Sequence, residues 1–110
     1  MTTQNLFPRA DGKLERVADG LSRRVGAHND NVMVVEVHFE AGTTAPLHHH
    51  VHEQITYVMS GKFEFTVGDE TYIVAAGDSL YKQPNIEHGA TCLEAGMLLD
   101  VFTPHREDFL

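Results

Sequence analysis

A chain of 110 residues with 42% hydrophobic content can build one modest core and is too apolar for a disordered acidic tail. Its 8 Lys and Arg stand against 16 Asp and Glu, a net charge of -8 that leaves no basic surface for nucleic acid or an anionic membrane. No apolar run approaches the ~20 residues of a membrane span. The opening stretch Met1–Arg16 carries charges of both signs and lacks the apolar centre of a secretory signal. Cys92 is the single cysteine and has no partner for an intrachain disulfide, so it is expected to pack in the core of a cytoplasmic protein. The expectation is one domain over residues 1–110.

Short β-type segments rich in Val, Ile, Phe, Tyr and Thr recur along the chain: Leu21–Val25, Val32–Phe39, Gln54–Met59, Lys62–Val67, Thr71–Val74, Ser79–Lys82 and Leu98–Phe102. Turn residues separate them, among them His28–Asn31, Ala41-Gly42, Ser60-Gly61, Gly68-Asp69, Gly77-Asp78 and Pro84-Asn85. Phe63, Phe65 and Val67 fall on one face and Lys62, Glu64 and Thr66 on the other, and Gly68-Asp69 reads as a tight hairpin loop. Sustained helical periodicity is absent apart from a possible turn near Arg106–Phe109. Many short strands at regular spacing predict an all-β sandwich or barrel. The apolar run Val32–Val35 suits either the core or a homodimer contact.

The chemistry-bearing stretch is His48-His49-His50-Val51-His52-Glu53-Gln54, which holds four of the 8 histidines. In an extended chain His48 and His50 point to one face, His49 points away, and Gln54 returns to the first face. His88, following the Gly77-Asp78 turn, is the candidate for a further ligand. Three imidazoles and an amide oxygen suit a divalent transition metal ion: Ni, Fe, Mn, Co or Zn. His52 is expected to supply a hydrogen bond behind the ligands. His28, His38 and His105 are expected to be ordinary polar residues.

The spacing Gly42-x5-His48-x-His50-x3-Gln54-x6-Gly61, followed by Gly77-x10-His88, resembles the two cupin motifs. The second motif departs from the family pattern at Gln83, where proline is usual, and at Asn85, where glycine is usual; Asn tolerates the left-handed turn that glycine would make. The resemblance implies a single double-stranded β-helix, or jelly-roll, with a metal in the barrel mouth. Many cupins carry Glu at the position of Gln54. A neutral Gln54 leaves the ion its full formal +2 and favours an anionic ligand.

In the C-terminal segment Asp100 and Phe102 share a strand face, and an inward Asp beside a metal pocket is costly without a task or a partner. Asp100 is the candidate general acid/base, Phe102 a platform for a ring face, and Arg106 a bidentate clamp for a carboxylate. The ending Asp100-Val-Phe-Thr-Pro-His-Arg-Glu-Asp-Phe-Leu110, joined to His-x-His-x3-Gln, is similar to the pectin-degradation cupins of the KdgF type. That likeness implies His48, His50, Gln54 and His88 as metal ligands, with Asp100, Phe102 and Arg106 lining the site of a small anionic sugar acid. The implied reaction opens 4,5-unsaturated monouronates to 4-deoxy-5-keto-uronates. An iron-dependent cupin dioxygenase and a non-catalytic sugar-acid binding cupin are the alternatives.

Overall fold

The computed structural model describes residues 3–110; Met1 and Thr2, where the N-terminal reading begins, lie outside them. Ten strands follow one another: β1 (Glu15–Ala18), β2 (Leu21–His28), β3 (Met33–Phe39), β4 (Thr44–His48), β5 (Glu53–Val58), β6 (Lys62–Val67), β7 (Glu70–Ala75), β8 (Ser79–Lys82), β9 (His88–Glu94) and β10 (Gly96–Thr103). Single 3-10 turns stand at Arg9–Asp11 and Glu107–Phe109, the second close to where the sequence predicts one. The strands form a six-stranded sheet, β1-β2-β3-β10-β5-β8, and a four-stranded sheet, β4-β9-β6-β7. All pairings are antiparallel. The architecture is the expected all-β jelly-roll. Among the described residues no helix is long and apolar enough to cross a membrane.

Each segment expected from composition forms a strand; Lys62–Val67 and Ser79–Lys82 match at both ends, and the others shift by a few residues. Strands β1, β4 and β9 were not anticipated, and the physical reason is their make-up. β1 is exposed throughout and has no apolar face to betray it. β4 carries a proline, and β9 continues from His88 into Gly89 and Ala90, which are poor strand formers in isolation. They pair because they are small: Ala45 sits opposite Ala90, and a Cβ on Gly89 would lie 2.8 Å from the Ala45 carbonyl oxygen.

Alternation places the core between the sheets. Phe63 and Phe65 on β6, Val58 on β5, Phe39 on β3, Cys92 on β9 and Leu98 on β10 form one buried cluster, with Phe39 and Phe63 meeting edge-on at 5.2 Å. Met33, Val35 and Phe102 form a second cluster closer to the C-terminal turn. Within Val32–Val35, Met33 and Val35 are therefore core residues, and only Val32 and Val34 are left to face outward. The two-residue Gly68-Asp69 loop joins β6 to β7 with Val67 opposite Glu70, and Gly68 adopts φ 60°. Asn85 takes φ 64°, the left-handed conformation expected where glycine is usual. Its N–H donates to the His50 carbonyl at 2.8 Å, tying this turn to the histidine segment.

Candidate metal centre and pocket

β4 ends at His48, so His48 and His50 are not side by side on one strand as the sequence suggested. They converge all the same, because the chain after β4 loops toward the Pro84-Asn85 turn. His88 opens β9 directly opposite His48, and their ring centroids lie 4.4 Å apart; His50 and His88 are 4.9 Å apart. The ligand-capable nitrogens of His48, His50 and His88 all fall within 4.8 Å of one another.

Backbone carbonyls orient these rings. Nδ1 of His48 donates to Pro46 O at 3.0 Å, and Nδ1 of His88 donates to Ile86 O at 2.9 Å. Each ring thereby turns its Nε2 lone pair toward the common centre. Nε2 of His88 is buried and has no hydrogen-bond partner among the described residues. Burial, with the nearby charges of Lys82 and the other histidines, pushes the His88 pKa down to about 4 against its hydrogen bond to Ile86. Burial, and then the charge of Arg106, also lowers that of His50.

Gln54 is 4% exposed, and its Oε1 lies 2.9 Å from Nε2 of His50. The other nitrogen of that ring lies 3.1 Å from the His52 carbonyl. A neutral imidazole has one N–H, so whichever tautomer forms, one of these contacts sets two lone pairs against each other. The lowered pKa disfavours the doubly protonated ring that would satisfy both. A cation among Gln54 Oε1 and the imidazole nitrogens removes the conflict, so this donor set fits a divalent metal ion. His52 contributes its backbone carbonyl rather than its ring: its Nδ1 is buried without a partner among the described residues, a correction to the hydrogen bond expected of it.

The same pocket is lined by His48, Gln54, His88, Asp100, Phe102 and Arg106. Phe102 is buried and meets His50 edge-on at 5.8 Å. Arg106 stacks over Phe109 at 4.2 Å and Phe102 at 5.1 Å. Its guanidinium is not free, however, because Nε and Nη2 donate to the two oxygens of Asp108 at 3.1 and 2.9 Å. His38 pairs with Glu36, and the rings of His28 and His105 donate to backbone carbonyls, which leaves all three outside the cluster. Cys92 is 1% exposed among core residues, as expected.

Two lining or supporting residues were missed in the sequence. Thr56 is fully buried at 0% exposure and donates to Asp100 Oδ1 at 2.6 Å. Lys82 is 2% exposed, donates to Thr56 Oγ1 at 2.8 Å and sets its ammonium 4.5 Å from the centre of the Phe65 ring. Burial lowers the Lys82 pKa, while Asp100 opposes the shift. The available signal was the alternation of Leu80 and Lys82, which puts both on the inner face of β8.

Two facing antiparallel sheets and histidines converging at one end of the barrel define a cupin, and the cupin domain family matches residues 35–102. The chain belongs to the cupin family. Within it, the pectin degradation protein KdgF of Dickeya dadantii (strain 3937) is 40% identical over 98 residues, 87% of this chain and 89% of that protein. The solved structure of KdgF from Halomonas sp. superposes with a TM-score of 0.92 at 33% identity, covering 98% of this chain and all of that one, 100%. An RmlC-like cupin from Shewanella frigidimarina NCIMB 400 superposes with a TM-score of 0.93 at 33% identity, over 98% and 97% of the two chains.

Proposed function

We propose that this protein linearises 4,5-unsaturated monouronates from pectin or alginate breakdown to open-chain 4-deoxy-5-keto-uronates, using one divalent transition metal ion held by His48, His50, Gln54 and His88. The observation that carries this reading is the presence of Asp100, Phe102 and Arg106 in one pocket with His48 and His88, two of the three converging imidazoles. The likeness to KdgF of Dickeya dadantii, whose name describes pectin degradation, supports it. Ni, Fe, Mn, Co and Zn all suit the donor set.

An unsaturated uronate is an enol ether with a carboxylate on C5. The bound ion would supply Lewis acidity toward a substrate oxygen. Arg106 orients the carboxylate through the N–H groups that Asp108 leaves unused, and Phe102 packs on the apolar face of the ring. Asp100 passes a proton from the attacking water to C4 as oxygen adds at C5. The resulting hemiketal breaks its C5–O5 bond to give the C5 ketone. The hydrate left at C1 collapses to the aldehyde and returns the water, so the net change is an isomerisation.

A cytoplasmic homodimer belongs to the same reading. Val34, Val101, Ile55 and Tyr81 form one outward row across β3, β10, β5 and β8, where a second copy could seat, and sedimentation tests it.

The deciding assay mixes metal-loaded protein with freshly prepared unsaturated monouronate and follows loss of the conjugated double-bond absorbance. Decay faster than the uncatalysed rate, abolished by a chelator and by His48→Ala, is the expected result. No acceleration by folded, metal-loaded protein would overturn the reading.

A further inference from the structure

We propose that Lys82 is a positioning residue of this pocket: its buried ammonium acts through the Thr56 hydroxyl to orient Asp100. The role given to Asp100 rests on the function proposed above, whereas the hydrogen-bond arrangement itself does not.

A threonine hydroxyl has one hydrogen and two lone pairs. At Thr56 both lone pairs are taken, one by Lys82 Nζ at 2.8 Å and one by Gln54 Nε2 at 3.2 Å. Both must donate, since the Asp100 carboxylate can only accept and so claims the one hydroxyl hydrogen. The single Thr56 hydrogen is therefore committed to Asp100 Oδ1, at 2.6 Å. This fixes which oxygen accepts from Thr56 in a carboxylate that lines the pocket. The strand register supports the arrangement. Thr56 lies directly opposite Asp100 on β10, and Lys82 lies opposite Gln54, so the four side chains meet on one inner face.

Stability does not explain a lysine here. Its ammonium is buried at 2% exposure and makes no ion pair among the described residues. A buried charge without a directly paired opposite charge is expensive, and an apolar residue of similar length is commonly neutral or stabilising in its place. Holding such a group is a cost that fits a site rather than a core.

The test uses the full-length, zinc-loaded protein and the variants Lys82→Met, Thr56→Val and their double. If Lys82 acts through Thr56, Lys82→Met keeps or raises Tm, leaves KM within about twofold and lowers kcat ~10- to 100-fold. The double variant is then no slower than Thr56→Val, because both changes break one chain of contacts. An unchanged kcat, a rise confined to KM, or effects that multiply in the double would overturn the proposal. A second readout is independent of turnover: the Cγ resonance of Asp100 in 13C-labelled protein, assigned with Asp100→Asn. Matching displacements in Lys82→Met and Thr56→Val support the arrangement, and an unmoved resonance in Lys82→Met overturns it. Wild-type protein inert toward the monouronate would sink the proposed function alone, and the resonance would still decide the role of Lys82.

Discussion

Replacing Gln54 by Glu tests the metal site through two effects of opposite sign. Gln54 is 4% exposed, with Oε1 2.9 Å from His50 Nε2 and Nε2 3.2 Å from Thr56 Oγ1. Glutamate keeps the shape, adds one negative charge and removes the amide donor to Thr56. With a divalent ion bound, a unit charge at ~4 Å is worth up to ~4 kcal/mol at an effective dielectric near 20. The lost hydrogen bond and burial of the carboxylate offset a part, leaving a net gain of roughly 1–3 kcal/mol, or about five- to 150-fold in metal affinity. Without the ion the same carboxylate is buried and shares Thr56 with Asp100, and the His50 ring and Lys82 ease it in part, so the metal-free fold loses ~1–2 kcal/mol. For a domain of this size that is about 4–15 °C in Tm. Gln54→Glu should therefore melt below wild type after chelation and gain more from added zinc, because a ligand that binds only the folded state stabilises it in proportion to its affinity. Competition against a coloured chelator gives the affinity, and thermal melts with and without metal give the stabilities. Unchanged or weaker metal affinity, with equal melts after chelation, would refute the placement of Gln54 against the ion.

Asp108→Asn should free the guanidinium of Arg106, which keeps its stacking on Phe102 and Phe109, and lower KM for an anionic substrate about two- to fivefold with little change in Tm; an unchanged KM in steady-state kinetics would contradict this. The Glu36 carboxylate accepts two hydrogen bonds from Arg9 and one from His38, and these hold its pKa at about 2 against the opposing effect of burial. A depressed carboxylate pKa stabilises the fold above the ordinary value of 4.5 and loses that stabilisation as pH falls toward 2. With Arg9 largely exposed the term is ~1–2 kcal/mol, so Glu36→Gln should flatten the acid limb of stability measured by urea titration at successive pH values. Gly61 has φ 85°, and a Cβ there would meet the Glu94 and Ala95 carbonyl oxygens at 2.6 and 2.7 Å; Gly61→Ala should cost ~2–4 kcal/mol by denaturant unfolding, and a loss below about 0.5 kcal/mol would show that the β5–β6 turn yields easily.

Strands with large alternating side chains were legible because burial of one face is written locally. Phe63 and Phe65 announce β6, and Gly68-Asp69 announces its hairpin. β4 and β9 were not legible, since Ala45, Gly89 and Ala90 pair through closeness to one another rather than through any apolar pattern. The histidines were legible as a group because their spacing is unusual, although the extended geometry invoked for His48 and His50 was not what brought them together. Arg106 stacks over Phe102 in the same pocket, while its pairing with Asp108 needed a chain bend that spacing does not encode.

The order of residues by itself determined an all-β fold and the Asp100–Phe102 face through a period of two along the chain, and it singled out the histidines and Gln54 as candidates through side-chain type and spacing. Tertiary structure alone decided which lone pairs face one another, that Lys82 is buried, and that Thr56 joins it to Asp100. Those contacts link β5, β8 and β10, strands whose neighbourhood is set by how the sheet closes and not by their separation in sequence.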